Sequence, residues 1–124
     1  MNVVDSSGWL EYMANGPNAG TFAPAVEDVG RLIVPSITIV EVFRRVYQQR
    51  TEAEAVQAVS LMRRGLVVDL DFTLAANAGK LGVENKLPLA DSIILATARA
   101  YQATLWTQDA DFDGLPDVHY FPKK

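Results

Sequence analysis

The chain contains no cysteine. That absence excludes disulfides, thiolate metal sites and a cysteine nucleophile, and it fits a reducing compartment. There is a single histidine, His119, so a zinc site built on paired imidazoles is excluded as well. No apolar run reaches the roughly 18 residues of a membrane span. The first residues lack the basic start and long apolar stretch of a signal peptide, and the expected location is the cytoplasm. The phosphate-cradling and nucleophile-elbow patterns GxxxxGKS/T, GxGxxG and GxSxG are missing, as are repeats, low-complexity tracts and linkers. Basic charge is also short: 11 Lys and Arg face 15 Asp and Glu, a net charge of −4. That balance argues against a protein that coats nucleic acid by bulk electrostatics.

What remains is a chain of 124 residues, 49% hydrophobic and 21% charged. This is the profile of one folded domain, spanning residues 1–124. Short apolar runs alternate with helical stretches. "NVV" reads as a strand and "DSSGWLEYMA" as a helix beginning near Ser6 or Ser7, which are suited to an N-cap. "NGPN" is a turn, and an interrupted helix then closes at Gly30. "RLIV" is a second strand. The helix from Pro35 to Arg50 has Ser36 as a cap candidate and a core stripe at Ile39, Val42, Phe43 and Val46. Thr51 and Glu54 make a capping-box pattern for the next helix, with Gly65 closing it. "LVVDL" is a third strand, followed by a helix over about 72–84. "LADSIILATARAY" is apolar nearly all round, the mark of a buried helix. "TLWT" is a fourth strand and "VHYF" a fifth. Strands alternating with helices predict an α/β, three-layer α/β/α fold around a mostly parallel sheet of four to five strands.

In such sheets, ligands bind beyond the carboxyl ends of the strands. Asp5 ends the first strand, and Asp109 lies just past the fourth. Asp91 opens the buried helix leading into that strand, and Glu41 lies early in the helix after strand two. Each acid also has an ordinary structural reading. Asp5 and Asp91 can cap helices. Glu41 sits opposite the apolar stripe, among Arg44, Arg45 and Gln48, where a solvated glutamate is expected. Asp111 and Asp113, beside Gly114, suit a turn. Only the set, gathered at one sheet edge, outweighs these readings. Oxygen ligands without cysteine or paired histidines suit the hard cations Mg2+ or Mn2+. One or two such ions held by crowded carboxylates can activate water and stabilise the leaving oxygen of a phosphodiester. With four acids in a metal site, 15 − 4 leaves 11 acidic against 11 basic side chains. That surface is balanced and able to approach a polyanion. His119 reads as structural or surface, and the methionines and tryptophans as core.

"VVDSSGWLEY", "VPSITIVEVF", "LPLADSIILATA" and "LWTQDADF", in that order and at those intervals, resemble the PIN domain, specifically the VapC-type toxins of toxin–antitoxin pairs. The resemblance covers nearly the whole chain. It implies a PIN-like fold and a metal-dependent endoribonuclease leaving a 5′-phosphate and a 3′-hydroxyl. Asp5, Glu41, Asp91 and Asp109 match the family's metal-binding and catalytic acids. Asp111, Thr107, Ser6 and Ser7 are supporting candidates, and Arg44, Arg45, Arg50, Lys80 and Lys86 are candidate phosphate contacts. The resemblance further implies a homodimer, an RNA substrate, and a cognate antitoxin that carries the DNA-binding function and occupies the toxin's groove. Two rival readings stand beside it. One is a catalytically inactive PIN-type interaction module. The other is a receiver-type signalling domain, for which Asp69 or Asp71 could serve as phosphoacceptor but no lysine follows "TLWT" until Lys123.

Overall fold

In the computed structural model, which describes residues 1–124, the five expected strands form one sheet. They are β1 (Asn2–Val4), β2 (Leu32–Pro35), β3 (Leu66–Val68), β4 (Thr104–Thr107) and β5 (Val118–Tyr120). Their order is β3-β2-β1-β4-β5, and every pairing is parallel. Six helices connect them: α1 (Ser6–Met13), α2 (Ala19–Glu27), α3 (Ser36–Gln49), α4 (Glu52–Met62), α5 (Phe72–Asn85) and α6 (Leu89–Ala100). No helix is long and apolar enough to cross a membrane.

Alternation along the strands divides the core between the two sheet faces. Val4, Leu32 and Val34 point to one side, where Trp9 of α1, Phe22 of α2, Val42 of α3 and Met62 of α4 cover them. Val3, Ile33 and Leu105 point to the other, against Ile94, Leu95 and Ala98 of α6 and Phe112. Leu74 and Ala78 of α5 pack outside α6 on Ile93 and Ala96. The near-continuous apolar surface of α6 is thereby explained: Ser92 through Ala98 are all buried.

Local signals were shifted at several helix ends. Neither Ser6 nor Ser7 caps α1; Asp5 does, its carboxylate accepting from the Gly8 N–H. The cap position of α3 is Pro35, with no side-chain bond, and Ser36 is its first helical residue. Thr51 caps α4 as its pattern predicts. That helix ends at Met62, however, before Gly65. Gly65 instead lies against β2, where a Cβ would come within 2.9 Å of the Leu32 carbonyl oxygen. Two helical glycines bring site-bearing segments close. A Cβ at Gly8 would lie 2.7 Å from Val4 Cγ1, so α1 can settle onto β1 only with glycine there. A Cβ at Gly82 would collide with the Ser92 hydroxyl, so glycine lets α5 clasp the first turns of α6.

The strand order reverses around β1, whose chain successor β2 lies on one side while β4 lies on the other. The carboxyl ends of β1 and β4 therefore flank the position where an open α/β sheet forms a ligand crevice.

Candidate active site

Register places the first pair of acids. Val4 is opposite Trp106, and the Asp5 N–H donates to the Trp106 carbonyl at 3.1 Å. Asp5 and Thr107 thus leave their strands side by side. The Thr107 hydroxyl donates to Asp5 Oδ2 at 2.6 Å and accepts from the Asp109 N–H at 2.9 Å. Asp5 Oδ1 accepts from the Ser7 hydroxyl at 2.7 Å and the Gly8 N–H at 2.9 Å. The aspartate is therefore both the cap of α1 and a carboxylate held between α1 and the end of β4. It is 2% exposed. Burial pushes its pKa up from 3.8 to about 6, although the bonds from Thr107, Gly8 and Ser7 favour the charged form; the nearby Asp109 charge raises it further.

Asp91 stands in the first turn of α6. Burial, then the charges of Asp109, Asp5, Glu41 and Asp111, lift its pKa from 3.8 to about 7. All four of those acids thus bear on one carboxyl group. One carboxylate oxygen from each of Asp91, Asp109 and Asp111 falls within 4.8 Å of the others. Asp111 belongs to a short 3-10 turn over Ala110–Phe112, where Asp109 Oδ1 accepts its N–H at 2.9 Å. Asp111 is thus a turn residue that also lies beside the acids.

Glu41 is not a solvated surface glutamate. Its Oε1 accepts from the Ser6 hydroxyl at 2.6 Å, which ties α3 to the start of α1. The acids open on a cleft of about 420 Å³ lined by Asp5, Ser6, Ser7, Glu41, Asp91 and Asp109, with Arg44, Arg45 and Gln48 on its α3 side. Lys86 is elsewhere. It terminates α5 in the left-handed conformation, at φ 55°, and is not among the cleft residues. Lys80 and Arg50 are not either.

Sequence reasoning gave no role to Asn18 and Gln108. Asn18 Nδ2 donates to Gln108 Oε1 and to the Pro122 carbonyl, both at 3.0 Å. The Gln108 N–H donates to the Ser7 hydroxyl at 3.3 Å. The only local signal was turn composition at "NGPN", which hides a partner 90 residues away.

An all-oxygen donor set, with two carboxyl groups held proton-rich by burial and mutual repulsion, fits a hard divalent cation. A second, larger groove of about 1000 Å³ runs between α1–α2 and α3–α4. Leu10 and Arg45 line both this groove and the acidic cleft.

The family model described as PIN domain matches residues 3–118. No curated protein sequence matches the chain significantly. Among solved structures, a toxin–antitoxin complex from Klebsiella pneumoniae includes a chain with 25% identity and a TM-score of 0.81, covering 98% of this chain and 99% of that one. A VapBC complex from Rickettsia felis, bound to a DNA fragment from its promoter, is similar at 15% identity and TM-score 0.74, covering 99% and 98%. A sarcin-ricin-loop-cleaving VapC toxin from Mycobacterium tuberculosis matches at 17% identity and TM-score 0.70, covering 91% and 92%.

Proposed function

The chain belongs to the PIN domain family, and from that premise we propose that it is the endoribonuclease toxin of a VapBC-type toxin–antitoxin pair. The carrying observation is the convergence of Asp5, Glu41, Asp91 and Asp109 on one cleft at the switch point of the sheet. Asp5, Asp91 and Asp109 would hold one or two Mg2+ or Mn2+ ions, with Glu41 across the cleft and Asp111 at its rim. A divalent cation supplies Lewis-acid activation of water and charge stabilisation at the scissile phosphodiester.

The remaining work belongs to the chain. Thr107, Ser7 and the Gly8 N–H hold the Asp5 carboxylate in one orientation, so it need not reorganise when a ligand arrives. The Ser6 hydroxyl does the same for Glu41. Arg44 and Arg45, on the α3 wall, meet phosphate oxygens and offset the chain's acidity where RNA approaches.

The partner would be an antitoxin that fills the larger groove and passes over Leu10 and Arg45 into the acidic cleft. An arginine there can take the place of the cation's charge. Self-association would use the outer face of α5 and the start of α6. Phe72, Val83 and Leu89 are 90%, 82% and 79% exposed, and Phe72, Ala76, Gly79 and Val83 fall at helical spacing on one face. Such a patch on a small domain marks an interaction site. A PIN-type module without catalysis lacks a reason for an acid cleft whose carboxyl groups lift one another's pKa. In the receiver-type reading, Asp69 or Asp71 would be the phosphoacceptor; Asp71 caps α5 by accepting from the Leu74 N–H, and no lysine follows β4 until Lys123.

The test is cleavage of a labelled RNA pool by the purified chain. Cleavage should require Mg2+ or Mn2+, stop with chelator, and be lost in Asp109→Asn while the fold is kept. Chelator-insensitive cleavage, or parental cleavage by Asp109→Asn, would refute the reading.

A further inference from the structure

The segment that carries Thr107 and Asp109 is gripped from several sides. The Phe121 N–H donates to the Thr107 carbonyl at 2.9 Å, and the Gln108 N–H reaches Ser7 of α1. The Gln108 side chain meets Asn18 in the turn before α2, and Asn18 spends its second amide hydrogen on Pro122. Asn18 is itself fixed, its backbone N–H donating to Glu11 Oε2 at 2.7 Å. It is 1% exposed, and Gln108 is 8% exposed. A buried amide pair of this kind is costly unless its bonds are made, and an apolar pair would stabilise the same contact without that risk. What it adds is fixed geometry, next to acids that repel one another and tend to separate.

We propose that Asn18 and Gln108 are a positioning pair that sets the cation affinity of the acidic cleft, with the Pro122 carbonyl as the third member of the support. The inference rests on the cation site proposed above. Asn18 acts through Gln108, and Gln108 through the backbone of Thr107 and Asp109; neither touches the ligand. Losing either side chain lets the Thr107–Asp109 segment relax outward under carboxylate repulsion. Support of this outer kind is typically worth ten- to a hundredfold in metal affinity.

The experiment is calorimetric titration of Mn2+ into the full chain and into Asn18→Leu, Gln108→Met and the double variant, with melting curves in chelator. A control is Thr97→Val, which removes a buried hydroxyl bonded within α6 to the Ile93 carbonyl. Each single variant should bind Mn2+ about tenfold more weakly, and the double variant no more weakly than the weaker single, since one connection has been cut. Thr97→Val should melt earlier yet bind as the parent does. If Asn18→Leu fails to fold, Gln108→Met decides alone. Parental Mn2+ affinity in the folded variants, or losses that add, overturns the positioning role while leaving the cation site standing. A parent that binds no Mn2+ overturns the cation site and this inference together.

Discussion

Replacing Asp5 by asparagine separates a cap from a cation ligand on one purified protein. The asparagine keeps an oxygen for the Gly8 N–H and the Ser7 hydroxyl, and its amide faces a Thr107 hydroxyl able to accept. Asn caps a helix about as well as Asp, so α1 should keep its start. What disappears is a buried charge. Folding raises the Asp5 pKa from 3.8 to about 6. Between those values the folded chain holds a proton that the unfolded chain has released, so stability falls as pH rises through the window and stays low above it. At about 1.4 kcal/mol per tenfold change in acidity, that lift amounts to about 3 kcal/mol in the metal-free protein at pH 7.5. With an unfolding entropy of roughly 2.1 cal/mol/K per residue, a chain of this size should melt up to about 10 °C higher as Asp5→Asn. The gain should vanish below about pH 4, where the parent's carboxyl group is neutral in both states. Melting curves in chelator from pH 4 to 8 test this, followed by a Mg2+ titration. The parent should gain roughly 2.7 kcal/mol at a hundredfold excess over Kd, and the variant far less. A pH-independent difference between the two proteins, together with equal Mg2+ stabilisation, would reduce Asp5 to a cap and refute the reasoning.

Three further outcomes are expected. Thr107→Val keeps the shape of a fully buried residue but strips Asp5 Oδ2 and the Asp109 N–H of their partner; it should cost about 1–3 kcal/mol in melting experiments at neutral pH and weaken Mn2+ binding. Phe72→Asp should convert a dimer to a monomer by light scattering at micromolar concentration, with the monomer's melting temperature little changed because Phe72 is 90% exposed. Arg45→Ala should raise the KM for RNA several-fold, whereas Lys86→Ala, which does not line the cleft, should leave it at the parental value.

Much of this was legible in the chain because the signals were local or periodic. "NVV" runs into Asp5 and "TLWT" stops two residues before Asp109, and a parallel sheet places strand ends together, so both acids could be set at one sheet edge. The nearly all-round apolar character of "LADSIILATARAY" correctly gave a buried helix, in which residues 92–98 are all buried. The polar face of α3 was the instructive case. Periodicity put Glu41, Arg44, Arg45 and Gln48 on one side of the helix, but a pattern cannot say whether that side meets water or a cleft. The order β3-β2-β1-β4-β5 decides it, by standing α3, which follows β2, next to the end of β1. Lys86 shows the converse: its charge drew notice as a candidate phosphate contact, while its backbone role, a left-handed stop for α5, left no mark in the local pattern. Asn18 and Gln108 were illegible because their bond joins a turn to a strand end across 90 residues.

The central claim is that these mutually repelling carboxylates are gathered for a divalent cation. Anomalous diffraction from crystals of the full chain grown in Mn2+ tests it most directly. The account predicts a strong anomalous peak inside the cleft, in contact with carboxylate oxygens of Asp109 and at least one of Asp5 and Asp91, and absent from Asp109→Asn crystals. A fully ordered cleft with no such peak, at Mn2+ concentrations that support RNA cleavage, would contradict it.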